Sequence, residues 1–289
     1  MDSTSVRRPS EALLALARTA LREDLGRGDV TSRVTVLEET RARARFVARE
    51  ELVVSGLEAA RAIFFEVGGE EMAFETLARE GDRVPVDSVL AEVEGNARAI
   101  LAAERVALNL VMRLSGVASL TSRYVEAVAG TGAVITDTRK TTPGLRLLEK
   151  AAVRGGGGTS HRAGLDDGVL IKDNHLALAG GVTEAVRRAR ASSPHLLKIE
   201  VEVESLGALE EALRAGADAI LLDNMTPEEV REAVGLARKQ RHDVLVEVSG
   251  GVNLRTVRSY AEAGPDLISV GALTHSAPAA DISLEMEPC

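Results

Sequence analysis

The 289-residue chain carries a formal charge of −9, with 45% apolar but only 2% aromatic residues, so it can bury a core yet must fill it with Leu, Val, Ile and Ala. The acidic balance and the scarcity of stacking rings argue against a nucleic-acid partner. The sole cysteine, Cys289, excludes an intrachain disulfide framework, and no run approaches the ~20 apolar residues that span a bilayer. With no apolar stretch behind the opening MDSTSVRRPS, the expectation is a cytoplasmic protein with no membrane partner. Length favours two domains, although a single barrel would fit it too.

Residues 1–9 are polar and expected to fray. Ser10 is placed to cap an amphipathic helix from Glu11 to about Glu23, followed by a turn at Gly26 and Gly28. Short alternating patterns over 41–54 and 72–93, with turn signals at Gly68-Gly69, Glu80-Gly81-Asp82 and Pro85, predict antiparallel strands. Ala97 to Leu114 has helical spacing and meets Ser115-Gly116, read as a helix stop and a domain boundary.

Beyond that point β-rich runs alternate with helical stretches: 133–136, 169–171, 196–203, 219–222, 244–248 and 267–270, with one further candidate strand near 151–154. The markers Glu202, Asp223, Ser249 and Gly271 recur every 21 to 26 residues, the length of a strand plus a helix, which predicts parallel strands. Thr226, Pro227 and Glu229 spell a helix start with a capping box. About 160 residues are too few for a complete eightfold barrel of ~250, so a short or incomplete barrel is expected. A doubly wound open sheet is the alternative, without a Gly-x-Gly-x-x-Gly to recommend it.

In such a barrel the residues just past each strand meet at one mouth, and here they are polar almost every time. From Arg139 to Lys172 seven Lys/Arg stand against three acids, a local +4, which suits a small polyanion gripped by paired hydrogen bonds. Arg139, Lys140 and Lys172 are assigned to the mouth, Lys150 and Arg154 to a solvated surface. Gly155 to Gly158 lack the Lys-Ser/Thr of a P-loop; they fit either a linker or a loop that wraps an anion with His161 and Arg162. Glu200, Glu202 and Glu204 share one strand face, and with Asp223 could hold Mg²⁺. Ser249-Gly250-Gly251 and Gly271 follow the last two strands, where backbone N–H groups commonly hold phosphate, and His275 lies just beyond. His195 and His242 are read as surface or structural, and no Gly-x-Ser-x-Gly elbow supports a hydrolase triad.

The strings DTRKTTPGLR (137–146), EKAAVRGGGGTSHR (149–162), LIKDNH (170–175), ILLDN (220–224) and VSGG (248–251) resemble quinolinate phosphoribosyltransferases, as do EDLGRGDVT (23–31), ERVALNLVMRLSG (104–116) and VGALTH (270–275). The resemblance implies an N-terminal α/β sandwich domain over 1–115, to which the tail 277–289 returns, and an incomplete, seven-stranded parallel α/β barrel over 116–276. It also implies a homodimer, with hexamers in some members. By resemblance Arg139, His161, Arg162 and Lys172 bind quinolinate, and Arg105 reaches into the partner subunit's site. Lys140, Glu202, Asp223, Ser249, Gly250, Gly251, Gly271 and His275 fall on the side of phosphoribosyl pyrophosphate, with Glu202 and Asp223 holding Mg²⁺. Ala151, Gly155 and Ser160 depart from residues common in the family, and none of the three removes a charged group.

The implied reaction joins the quinolinate ring nitrogen to the ribose, releases pyrophosphate and loses the 2-carboxylate as CO₂, giving nicotinate mononucleotide for NAD biosynthesis. Lys140, Lys172, Glu202 and Asp223 are the catalytic expectation; no proton donor is identified. The alternatives are a related phosphoribosyltransferase acting on another acid, against which LIKDNH speaks, and a non-catalytic barrel protein, against which the intact charged mouth speaks. A sugar-phosphate lyase or isomerase would need no basic cluster of this density.

Overall fold

A computed structural model of the chain describes residues 8–289; the fraying expected at the extreme N-terminus lies, up to residue 7, outside them. Two compact units divide the chain. One holds the residues up to Leu120 with Arg154–Gly156 and Ala277–Cys289, the other Thr121–Val153 and Gly157–Ser276.

In the first unit α1 (Glu11–Leu25) starts where Ser10 Oγ accepts the Leu13 N–H, as the sequence predicts. A short helix α2 (Val30–Thr35), capped by Asp29, was not anticipated. The strands are β1 (Arg41–Ala48), β2 (Leu52–Val53), β3 (Ala73–Thr76), β4 (Arg83–Val84) and β5 (Val89–Asn96), with α3 (Leu57–Gly68) between β2 and β3. The last strand of the chain, β12 (Ile282–Pro288), pairs antiparallel with β1, giving the sheet order β12-β1-β5-β3. Alternate residues of β1 (Ala42, Ala44, Phe46) are buried, the period-2 pattern of a sheet covered on one face. Phe46 meets Phe64 of α3 and Phe74 of β3 with ring centroids 6.0 and 6.1 Å apart, and Phe64 meets Phe74 at 5.7 Å, so three of the chain's four phenylalanines lock the helix onto the sheet. Each fully buried ring contributes about 1.5–3 kcal/mol.

The helix stop expected at Ser115-Gly116 is absent. A single helix α4 runs from Ala97 to Ala127, and Gly116 serves close packing instead: a Cβ there would lie 1.9 Å from the Pro278 carbonyl oxygen. The returning segment is held at that level by Ala280 N–H donating to the Met112 carbonyl at 2.9 Å.

In the second unit the strands are β6 (Val134–Thr136), β7 (Val169–Ile171), β8 (Ile199–Val203), β9 (Ala219–Asp223), β10 (Leu245–Ser249) and β11 (Leu267–Ser269). They alternate with α5 (Arg146–Gly155), α6 (Asp173–Ala179), α7 (Val182–Ser192), α8 (Leu206–Ala215), α9 (Pro227–Gln240), α10 (Val257–Glu262) and α11 (Ala272–His275). All six strands are parallel in the order β6-β11-β10-β9-β8-β7. Thr159 adds a single parallel bridge on the free side of β6, which gives a seventh strand position one residue long. Residues 151–154, read as an extra strand, lie in α5 instead; Ala152 and Val153 are buried beside exposed Ala151 and Arg154, a helical stripe too short to separate from a strand by pattern. Alternation orders the barrel: Val201, Val203, Ile220, Leu222, Val246, Val248 and Ile268 are buried, while Glu200, Glu202, Asp223, Glu247 and Ser249 occupy the alternate positions. The capping box of α9, Thr226 with Glu229, forms as predicted.

Candidate active site

At the C-terminal ends of the barrel strands lies a cleft of about 440 Å³. Of the residues singled out in the sequence, Arg139, Lys140, His161, Arg162, Lys172, Glu202, Asp223, Ser249 and Gly250 line it. Parallel strands deliver them together because each follows or ends a strand on the same edge.

The cationic wall is built by braced loops. Arg139 and Arg162 each keep a buried Nε with no hydrogen-bond partner among the described residues, although Arg162 Nη1 donates to the Gly168 carbonyl at 2.9 Å. Burial and then the like charge of Arg139 lower the Arg162 pKa, so the pair favours an anion that would take up both orphaned donors. Lys150 overturns its surface assignment. It is 2% exposed, pairs with buried Asp137 and donates to the His161 carbonyl at 3.0 Å. Asp137 Oδ1 also accepts the His161 N–H at 2.9 Å, so the pair pins the backbone from which His161 and Arg162 enter the cleft. Burial pushes the Asp137 carboxyl up, and Lys150 pulls it back. Neighbouring Glu149, also buried, accepts from Thr142 N and Thr142 Oγ1 at 2.9 and 2.7 Å, closing the loop that carries Arg139 and Lys140.

Lys172, also lining the cleft, pairs with Glu202. Its backbone N–H donates to His175 Nδ1 at 3.0 Å, which fixes the start of α6. Burial, followed by the charge of Glu202, raises the Asp223 pKa, and Lys172 opposes the rise. Gly250 has φ +88° and packs so tightly that a Cβ would meet Asn224 Oδ1 at 2.2 Å. Asn224 itself takes φ +54° and donates from Nδ2 to Asp223 Oδ2 at 2.7 Å, so Gly250 permits the approach of Asn224.

Gly251, Gly271, His275 and Arg105 are not among the lining residues. Gly251 is exposed with φ +65°. Gly271 touches the cleft indirectly, since a Cβ there would lie 3.0 Å from Lys140 Cδ and 3.1 Å from His275 Nε2. Arg105 is exposed on α4 in the first unit. Gly155 to Gly158 line no part of the cleft: Gly155 ends α5, and a Cβ at Gly158 would press on Thr121 and Val153 at 2.9 Å, so the run makes a tight exit that delivers His161. Glu204, like His195 and His242, is exposed.

The sequence reading missed Glu247. It lines the cleft from mid-β10, where its signal was a lone charge at an inward position of LVEVS. His161 Nε2 lies 3.2 Å from Glu200 Oε2 and 3.7 Å from Glu247 Oε1. The Glu200 hydrogen bond, ahead of opposing burial, raises the His161 pKa. Burial and then the charge of Glu200 push Glu247 up to about 7.

Residues 29–115 match the N-terminal domain of the quinolinate phosphoribosyl transferase family, and residues 117–285 its C-terminal domain. The chain belongs to that family. A probable carboxylating nicotinate-nucleotide pyrophosphorylase of Synechocystis is 44% identical over 266 residues, 92% of this chain and 90% of its own length. The carboxylating nicotinate-nucleotide pyrophosphorylase of Mycobacterium leprae is 44% identical over 272 residues, 93% and 95% of the two chains. The solved nicotinate-nucleotide pyrophosphorylase of Francisella tularensis superposes with a TM-score of 0.91 at 36% identity, covering 99% of this chain and 100% of its own. The quinolinate phosphoribosyl transferase fold is thus matched over both units. Among the described residues no helix is long and apolar enough to cross a membrane.

Proposed function

We propose that this protein transfers phosphoribosyl from phosphoribosyl pyrophosphate to the ring nitrogen of quinolinate, releasing pyrophosphate and CO₂ and forming nicotinate mononucleotide in NAD biosynthesis. The observation that carries this reading is one cleft that holds two guanidinium groups with orphaned donors together with carboxylates and lysines, in a chain of this family. Arg139, Arg162, His161 and Lys172 grip the two carboxylates of quinolinate and turn its nitrogen toward the ribose, a proximity effect. Lys140 sits beside Gly271 and His275, and with Ser249, Gly250 and Gly251 it receives the phosphates. Glu202 and Asp223 face the cationic centre that develops on the ribose.

Glu202 and Asp223 also fit a magnesium ion. They are hard oxygen ligands on neighbouring strands, and burial together with the charge of Glu202 raises the Asp223 pKa, a cost that a divalent cation relieves. When bound, Mg²⁺ would neutralise charge on the departing pyrophosphate. Arg105, exposed on α4, is assigned to the site of a second copy in a homodimer, the unit from which a hexamer would be built.

Purified protein given quinolinate, phosphoribosyl pyrophosphate and Mg²⁺ should yield nicotinate mononucleotide by mass spectrometry. Arg139→Ala should cut kcat/KM for quinolinate roughly ten- to hundredfold, the worth of one charge-assisted hydrogen bond, while the KM for phosphoribosyl pyrophosphate stays near its starting value. Undiminished turnover of quinolinate in that variant would sink the role given to the guanidinium wall.

A further inference from the structure

We propose that Glu247 is the acid that replaces the lost carboxylate with a proton: it takes up a proton when quinolinate binds and gives it to the ring carbon from which CO₂ departs. The inference rests on the substrate reading above.

Glu247 lies at an inward position of β10 between buried Val246 and Val248, 2% exposed, yet it reaches the cleft wall. Its Oε1 has no hydrogen-bond partner among the described residues. His161 Nε2, Glu200 and Glu247 present atoms within 4.8 Å of one another, a spacing that could suit a metal ion as well as a proton. The Arg162 N–H, 2.7 Å from His161 Nδ1, decides between them. With Nδ1 engaged as an acceptor, the ring hydrogen sits on Nε2 and faces Glu200, where a metal would need a lone pair. The carboxylates draw a second proton toward the ring and the Arg162 N–H opposes it. The Glu200 hydrogen bond still raises the His161 pKa, and the buried Glu247 Oε1, without a hydrogen-bond partner among the described residues, is the second place in the cluster where a proton can sit.

The other polar groups around Glu247 fit that assignment. Asp137, at the end of β6, is already engaged by Lys150 of α5 and by the His161 N–H. Ser269 of β11 lies against the Val248 carbonyl at 3.2 Å and also hydrogen-bonds Glu247, which opposes the rise in its pKa. Arg139 and Arg162, from the loops above, are the cations that a dianion would occupy. Two neighbouring carboxylates, Glu247 buried and Glu200 half-buried, cannot both stay ionised at low cost beside a bound dianion, so binding raises the affinity of the less solvated one, Glu247, for a proton. Burial and the charge of Glu200 push its free value up to about 7, so the uptake grows as pH rises past that value and the free group ionises.

The chemistry balances without a further reactant. The C2–carboxylate bond of the ribosylated ring breaks, CO₂ leaves, and its electron pair stays on C2. That pair takes the Glu247 proton, leaving a carboxylate that is reprotonated when the next quinolinate binds. Glu200 and His161 are positioning residues that keep the acid's partner charges in place.

Calorimetry of quinolinate binding to the full chain at pH 8, in phosphate and in Tris, reads proton uptake from the difference in apparent enthalpy. Uptake approaching one proton in the native protein, falling toward zero in Glu247→Gln with quinolinate still bound, is the expected result. Binding without uptake, or undiminished uptake in Glu247→Gln, overturns the inference and leaves the substrate reading standing. No binding of quinolinate overturns the substrate reading, and the inference with it.

Discussion

Lys150 and Asp137 show how much of the site's geometry is held by charges that no ligand would touch. Both are buried, at 2% and 0% exposure, and together they fix the His161 backbone through its N–H and its carbonyl. Removing one partner leaves the other charged and desolvated, so Lys150→Met should destabilise the protein by about 3–5 kcal/mol in urea unfolding. Asp137→Asn combined with Lys150→Met should recover most of that loss, because the amide oxygen can still accept the His161 N–H. A double variant as unstable as the single one would point to lost packing instead. Lys150 was illegible in the sequence because a lysine one helical turn past a basic motif looks solvated until its partner is known. Arg139, Lys140, His161, Arg162 and Lys172 were legible because each stands just after a β-rich run or in a string that resembles the family. Glu247 was overlooked through attention to strand ends: the charge that mattered lay one pleat deeper.

At the scale of elements, the parallel strands are legible to within one residue except at the start of β8, which lies at Ile199 and not 196, since six short β-branched runs alternating with helical stretches admit few other arrangements. Local signals failed where a distant segment set the rule. Ser115-Gly116 looks like a helix end, yet α4 continues through it to Ala127, and the glycine answers to the Pro278 carbonyl. Gly116→Ala thus opposes two effects. Alanine favours a helix interior by about 1 kcal/mol, while a Cβ placed 1.9 Å from backbone oxygen forces a shift that costs about 1–3 kcal/mol or more. Net destabilisation is expected, measured as a lower midpoint in urea at unchanged slope. A stabilised variant would mean that the returning segment yields easily. The same dependence on a distant strand explains why residues 151–154 misled: the seventh strand position is Thr159, whose single bridge to Thr136 leaves no periodic trace.

For the whole molecule, charge is distributed against its average. A chain of −9 gathers Arg139, Lys140, Arg162 and Lys172 into one cleft with Glu202, Asp223 and Glu247, and like charges brought this close cost electrostatic self-energy that a bound dianion and a phosphorylated sugar would offset. The C-terminal strand β12 meanwhile closes the sheet of the first unit along β1, bringing the C-terminal segment into the layer built by β1, β5 and β3. The most direct measurement is the count of CO₂ and pyrophosphate released per turnover from carboxyl-labelled quinolinate, with nicotinate as a parallel substrate. The account predicts equal release of both from quinolinate and neither from nicotinate, which lacks the second carboxylate for the guanidinium wall. Pyrophosphate release from nicotinate at a comparable rate, or from quinolinate without CO₂, would contradict it.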